Sequence, residues 1–441
     1  MSKPTVKNSS TAYEWKVVLL MAMGFGLVGL DRWIITPMFP VMMGDLHLDY
    51  QDLGNIIAVL GLSWGVFSIV MGSLSDKFGR RKVLIPSIIL FSLLSILTGL
   101  AGGLASLLLI RAVMGVTEGS FSPASVAVTA EVSKEKRRGF NMGLQQSTFA
   151  LFGLGFGPII ATQLLRFVPS WHWVFAIVAV PGFIVGFFIY KVVREPQVST
   201  VNSGSSAVAA PKLTASPAAA QPGGKPRFIE IFRHRNILLC MFALCGAMTC
   251  IFVLGSMFPS YLTDYLKLSV TQMGFITSAI GFGAFFGQLA IPGLSDRFGR
   301  KTVTLCAMLL TLVMLGILIG TGASPMALFA LLFMTAFGCN GCLPLLSGTI
   351  TIESVPAPLI STAAGVIIGV GEIFGGGVAP SLAGFIAKNY GIENTLLLAI
   401  GGIVVCLLLC LFLKETAPSR IRAGREPQAS GHPQSAAIEA G

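Results

Sequence analysis

The sequence predicts an all-α membrane protein, with twelve transmembrane helices in two six-helix, pseudo-symmetric bundles. Three observations carry that expectation. Of 441 residues, 54% are hydrophobic and only 11% charged, and mean hydropathy is +0.80. A soluble domain carries about 25% charged residues, so a water-soluble globule is excluded, as are a disordered chain, a secreted disulfide scaffold and a coiled coil. The apolar residues gather in twelve runs, each near the roughly 20 residues that cross a bilayer as a helix. A loop motif occurs twice, its two aspartates 220 residues apart.

The runs are 17–41, 54–74, 83–102, 105–129, 140–164 and 171–191, then 237–262, 271–293, 302–322, 325–350, 360–387 and 394–413. They are too long, and too rich in Leu, Ile, Phe and Gly, for barrel strands of ~10 alternating residues. The first follows a polar start (1–16), outlasts a signal-peptide core and carries Asp31 and Arg32, so it reads as a retained helix. Run 5 contains GLGFGPIIA (153–161), which partly resembles the Gly-rich segment of drug:proton antiporters. Its Gly-Pro and one Gly stand at the expected spacing, but Ala161-Thr162 replaces the closing Gly-Gly, and close packing through small residues explains it as well. The first bundle therefore spans 17–191 and the second 237–413. Between them, 192–236 reads as a cytoplasmic linker: a Ser/Ala/Pro-rich stretch, then FIEIFRHRN (228–236) as a short amphipathic helix on the membrane surface. The tail 414–441 is polar.

Charge asymmetry sets the orientation. With the N-terminus in the cytoplasm, Arg166, Lys267 and Lys388 fall outside and Arg32 and Arg111 within the membrane. The other 25 of 30 Lys and Arg fall on the cytoplasmic side. This is the positive-inside pattern, and it places both termini inside a (bacterial inner) cell membrane. The net charge of +11 then needs no nucleic-acid partner; the partners expected are the lipid bilayer, protons and a small solute. All eight cysteines lie in the second half, within apolar runs, and Cys339 and Cys342 form a lone C-x-x-C. They read as small hydrophobes, with no metal site and no cofactor.

The repeated loop reads GSLSDKFGRRKV (72–83) after run 2 and GLSDRFGRKTV (293–303) after run 8. Gly72 and Gly293 let helices approach, Asp76 and Asp296 can accept from helix N-terminal amides or Arg, and Gly79 and Gly299 make the turn. Arg80, Arg81 and Arg300 stay in the cytoplasm. Parallel six-helix repeats are a transporter architecture. With these loops the chain resembles the major facilitator superfamily over all but its tails and linker. The resemblance implies two bundles rocking about a central cavity lined by runs 1, 4, 7 and 10, and a monomer as the working unit.

Ionisable residues inside apolar runs cost roughly 2.5–3.5 kcal/mol each at the bilayer centre and are therefore the candidate site. Asp31 stands about 21 Å from the cytoplasmic end of run 1 and Arg111 about 9 Å from the outer end of run 4, so Asp31, Arg32 and Arg111 share a depth. Glu118 follows Arg111 by two turns on the same face. Glu372 lies among glycines in run 11. Trp64, Gln145, Gln146 and Asn340 are polar or aromatic groups within runs and candidate solute contacts. A static network holding runs 1 and 4 together is the plainer alternative. The chemical alternative is a carboxylate that trades its Arg partner for a proton, leaving a guanidinium to hold an anion.

D-R in run 1 with R-x6-E in run 4 resembles the anion:cation symporter family, whose members carry galactonate, hexuronates and sialic acid. That resemblance implies protonation at Asp31 and Glu118, anion contacts at Arg32 and Arg111, and proton-coupled symport of a sugar acid or other small carboxylate. Spinster-like lysolipid carriers share the spacing, so a proton-coupled exporter of drugs or lipid-like amphiphiles stays open, as does a non-transporting receptor. No P-loop, metal cluster or nucleophile elbow is present in the sequence, so neither an enzyme nor an ATP-driven pump is expected.

Overall fold

The computed structural model describes residues 11–134, 137–194, 228–356 and 359–417, with backbone alone at 69, 72–78, 138–139, 228–229 and 360–362. Most of the expected linker and the outer parts of both tails lie outside the described residues. Twelve helices follow in order: α1 (Thr11–Asp45), α2 (Tyr50–Phe78), α3 (Arg80–Thr98), α4 (Leu104–Val132), α5 (Phe140–Phe167) and α6 (Trp171–Val192), then α7 (Arg235–Tyr265), α8 (Val270–Phe298), α9 (Arg300–Gly320), α10 (Pro325–Ser354), α11 (Ala363–Tyr390) and α12 (Ile392–Leu411). Eleven of them are long and apolar enough, over their described residues, to cross a membrane. The remaining one, α2, has 29 residues.

The pairing of helices repeats between halves. In the first, α2 packs on α4, α3 on α4 and α6, and α1 on α5 and α6; in the second, α8 packs on α10, α9 on α10 and α12, and α7 on α11 and α12. The halves meet along α2–α11 and α5–α8, pairs that the same two-fold relation exchanges. Leu109, Ile184, Leu309 and Leu397 point outward from the bundles, which suits a surface that lipid covers rather than water.

The repeated loop builds matching corners. Gly79 and Gly299 adopt φ of +96° and +99°, a region open to glycine and strained for other residues. The arginine after each glycine opens the next helix and pairs with a glutamate near the end of the helix beyond: Arg80 with Glu131, Arg300 with Glu353. Arg300 also pairs with Asp296 and donates to Ser295 Oγ at 2.8 Å. The backbone of 72–78 continues α2; the side chain of Asp76 lies outside those described. Both ends of the apolar core are anchored by charge that hydropathy alone overlooks. Glu14 is fully buried, and its Oε1 accepts from the Lys134 amide and Asn141 Nδ2 at 3.1 Å each, which starts α1 ahead of its apolar run. Glu415 accepts from the amides of Arg300 and Lys301 at 2.8 and 3.2 Å, capping α9 where free N–H groups and the helix dipole favour an anion. The segment before α7 is a short 3-10 turn, Phe228–Arg233, with Ile231 buried.

Two further departures from regular helix position the interior. In α1 the helix breaks at Ile34. Pro37 has no N–H for the Trp33 carbonyl, and Thr36 Oγ1 donates to that carbonyl instead at 2.9 Å. In α5 and α11 wide π turns, Leu151–Phe156 and Ile373–Val378, each precede a proline, Pro158 and Pro380. The Gly376 carbonyl, within the wide turn of α11, faces Gly61 of α2, where any side chain would collide with it.

The start of α1 at Glu14, the Gly79 and Gly299 turns, Asn236 at the start of α7 and the segment Lys414–Glu415 share one end of the described molecule, the near end. At the other, far end, the halves are tied together. Tyr50 Oη donates to Asp264 at 2.6 Å, Gln51 Nε2 to the Ser381 carbonyl at 3.1 Å, and Ser381 Oγ to Asn55 at 2.8 Å; Lys388 pairs with Asp49 at 2.7 Å. Burial alone would raise the Asp49 carboxyl, but the Lys388 ammonium and the amides of Asp52 and Gln51 hold it below the usual carboxylate range.

Candidate functional site

The break in α1 follows directly on Asp31 and Arg32, and it sets them against α3, α4 and α11. Asp31 and Arg32 are each 4% exposed, Arg111 1% and Glu118 0%, so four ionisable groups share one apolar interior. Charge at such a depth persists only if it is paired, protonated or functional.

Each group has a distinct environment. The Asp31 carboxylate accepts from Ser95 Oγ of α3 at 2.9 Å. Arg111 does not engage that carboxylate: its Nη1 donates to the Asp31 main-chain carbonyl at 3.0 Å, while its Nε and Nη2 have no hydrogen-bond partner among the described residues. Both oxygens of Glu118 are likewise without one. Arg32 points across the interface between halves. Its Nη2 lies 3.1 Å from Glu372 Oε2 of α11, and its guanidinium sits 5.0 Å from the Phe252 ring, 5.5 Å from Trp64 and 6.0 Å from Phe149, within cation–π range. A narrow void bounded by Arg32, Arg111, Ile35, Ile56, Ile57 and Leu60 is too small for a water molecule.

The structure therefore brings together Asp31, Arg32, Arg111, Glu118, Trp64 and Glu372. Gln145 is buried one level nearer the near end, where its Nε2 donates to Ser125 Oγ at 2.8 Å and its Oε1 is unpartnered. Asn340 is buried but donates to its own helix, at the Ala336 carbonyl. Gln146 is exposed, because the residue after an inward-facing Gln145 turns about 100° around the helix. Sequence reasoning placed Arg32 beside Asp31 and left its partner open; the Arg32–Glu372 contact joins residues 340 positions apart. The aromatic collar of Phe149 and Phe252 was also missed, since aromatics in apolar runs carry no distinguishing pattern.

The arrangement offers guanidinium nitrogens with unused donors, a carboxylate with unused acceptors and a pair of opposite charges that spans the two halves. That is equipment for binding and for changing shape. Comparison with known proteins agrees. The family model described as Major Facilitator Superfamily matches residues 21–265 and 240–438. A hexuronate transporter of Bacillus subtilis (strain 168) is 26% identical over 88% of this chain and 92% of its own length. A D-galactonate transporter of Escherichia coli O6:H1 is 26% identical over 78% and 82%, and a probable 4-methylmuconolactone transporter of Cupriavidus pinatubonensis is 26% identical over 85% and 84%. In fold, the chain matches a bacterial homolog of the human lysosomal transporter Spinster in an inward-facing, occupied conformation, with a TM-score of 0.74 at 17% identity over 91% of this chain and 97% of that one. With its paired six-helix halves, repeated corner loops and matches to known transporters along nearly its whole length, the chain belongs to the major facilitator superfamily and is a multi-pass membrane transporter of small solutes rather than an enzyme.

Proposed function

We propose that the protein is a proton-coupled symporter of a small organic anion, a sugar acid or other carboxylate, of the anion:cation symporter type. The observation that supports this best is the buried cluster itself: two guanidiniums, Arg32 and Arg111, beside two carboxylates, Asp31 and Glu118, with guanidinium nitrogens and both Glu118 oxygens unpartnered among the described residues. A carboxylate solute fits such a site because guanidinium recognises it through two parallel hydrogen bonds. Asp31 and Glu118 are the proton acceptors. Protonation removes a negative charge next to the guanidiniums, and the solute carboxylate replaces it, so proton and anion enter together and the buried net charge stays constant. The cation asymmetry along the sequence supports a cytoplasmic near end, and both halves of the pathway come from one chain, which supports a monomer. Asp76, Gly72, Gly79, Arg81 and Gly293 act with the Arg80 and Arg300 corners in gating. The test is transport by purified protein in liposomes. An inward-directed proton gradient should concentrate radiolabelled D-glucuronate or D-galactonate, or another acid found by a thermal-stability screen, and a collapsed gradient should not. Efflux of uncharged amphiphiles with no carboxylate uptake would show the reading to be wrong.

A further inference from the structure

Glu372 holds Arg32 by a single point. One oxygen meets one nitrogen, Nη2, at 3.1 Å, and Arg32 Nε is buried without a partner among the described residues. Side-on carboxylate binding uses Nε and Nη2 together. Glu372 therefore leaves unused half of a fork that a free carboxylate can occupy whole. Gly376 packs directly against the pair: a Cβ there would stand 3.1 Å from Arg32 Nη2 and 3.0 Å from Glu372 Oε2, close enough to push them by a few tenths of an ångström. The pair joins α1 in one half to α11 in the other, at mid-depth, and α11 also carries Ser381 and Lys388 of the far-end ties.

We propose that Glu372 is a tethered stand-in for the solute: its carboxylate occupies Arg32 in the empty protein and latches the halves together, and the solute carboxylate displaces it. This rests on the anion-symport reading. Displacement exchanges one opposite-charge partner of Arg32 for another, with no bond made or broken beyond hydrogen bonds. It loosens α11 from α1, so a bound carboxylate eases opening of the far end, while the empty protein opens there more slowly, when Glu372 lets go of Arg32 unaided. A solute without a carboxylate gains nothing at Arg32 against the resident Glu372 and leaves the latch closed.

The experiment uses full-length purified protein, wild type and Glu372→Gln, in lipid nanodiscs. Amide hydrogen exchange is followed by mass spectrometry without any solute, and affinities for D-glucuronate, D-galactonate and benzoate are measured by thermal stabilisation. Without solute, Glu372→Gln should exchange faster than wild type over 44–60 and 376–390, the far-end segments. With its competitor neutralised, Arg32 should bind the stabilising carboxylate about tenfold tighter or more. Gly376→Ala crowds the pair without touching either charge and should show the same faster exchange, which keeps the proposal testable if Glu372→Gln fails to fold. Unchanged far-end exchange in both variants overturns the latch. Equal carboxylate affinity in wild type and Glu372→Gln overturns the stand-in role while leaving anion symport intact. Faster exchange in the variants, with no carboxylate binding to either protein, supports the latch and overturns anion symport instead.

Discussion

Arg111 reaches Asp31 through the main chain. Its Nη1 donates to the Asp31 carbonyl at 3.0 Å, and the Asp31 carboxylate is held separately by Ser95 at 2.9 Å. The tie between α1 and α4 therefore survives a change in the charge of Asp31. Asp31→Asn should fold, since an amide oxygen can still accept from Ser95, and should lose uphill uptake driven by a proton gradient. Solute counterflow in liposomes measures what remains; exchange without net proton movement should persist. Wild-type accumulation by Asp31→Asn would remove Asp31 from the coupling mechanism.

Glu118 offers a sharper version of the same experiment. Because neither oxygen has a partner among the described residues, Glu118→Gln breaks no hydrogen bond seen there and relieves a buried charge. Thermal stability should equal or exceed that of wild type, yet gradient-driven uptake should fall to background. A gain in stability with a loss of accumulation separates a functional carboxylate from a structural one.

Replacing Arg111 by Lys keeps the charge but not the fork. A hydrogen bond to a charged group is worth about 1.5–3 kcal/mol, or roughly 10- to 150-fold in affinity, so carboxylate binding by Arg111→Lys should weaken within that range. Isothermal titration on folded variant protein checks it. An unchanged dissociation constant would make Arg111 a purely architectural contact between α1 and α4.

The far-end ties carry a pH signature of their own. Against the opposing effect of burial, Lys388 and two backbone amides lower the Asp49 carboxyl below its usual range. A carboxyl that is lowered in the folded protein stabilises it above the ordinary aspartate pKa of about 4 and loses that contribution as pH falls through the lowered value. The difference in melting temperature between wild type and Lys388→Met should thus be constant from pH 7 to about pH 5 and vanish only in stronger acid. A difference that already changes near neutrality would mean that another group controls this end.

At the near end, the matched Arg80–Glu131 and Arg300–Glu353 pairs frame the two corner loops. Asp76→Asn should shift the resting population toward the form open at the near end and slow turnover more than it weakens binding. Glu353→Gln loosens the corresponding corner of the other half and should act in the same direction. Thiol labelling at engineered reporter positions on the two faces measures the ratio; a ratio equal to that of wild type in both variants contradicts a gating role for the corners.

The helices and their pseudo-symmetry were legible in the sequence because each rests on a strong local signal: a long apolar run, or a duplicated loop with glycine where φ is positive. The shared depth of Asp31 and Arg111 followed from rise per residue, and the 3.0 Å contact between them agrees. Which atoms meet was not legible. Arithmetic along a helix gives depth and face, but whether Arg111 turns to a carboxylate or a carbonyl depends on Ser95 claiming that carboxylate first. Arg32–Glu372 lay beyond reach for another reason: it spans the two halves, and nothing in either segment encodes how the halves sit on each other. Glu14 and Glu415 read as tail residues because hydropathy counts a hydrogen-bonded carboxylate as polar, whether fully buried like Glu14 or half-buried like Glu415.

The wide turn in α11 has a geometric consequence. In an unbroken α-helix each residue advances about 100°, so Ser381, nine positions beyond Glu372, would face about 180° away from it, and Lys388 about 160°. The turn at Ile373–Val378 takes up one residue more than a regular turn, which brings those offsets to about 80° and 60°. Glu372, Ser381 and Lys388 can then all meet the first half, at Arg32, Gln51 and Asp49. The helix behaves like a camshaft whose lobes are kept in phase by a single inserted residue. Deleting one glycine from 375–377 would retain the apolar length that spans the bilayer and throw the central pair and the far-end ties out of register with each other.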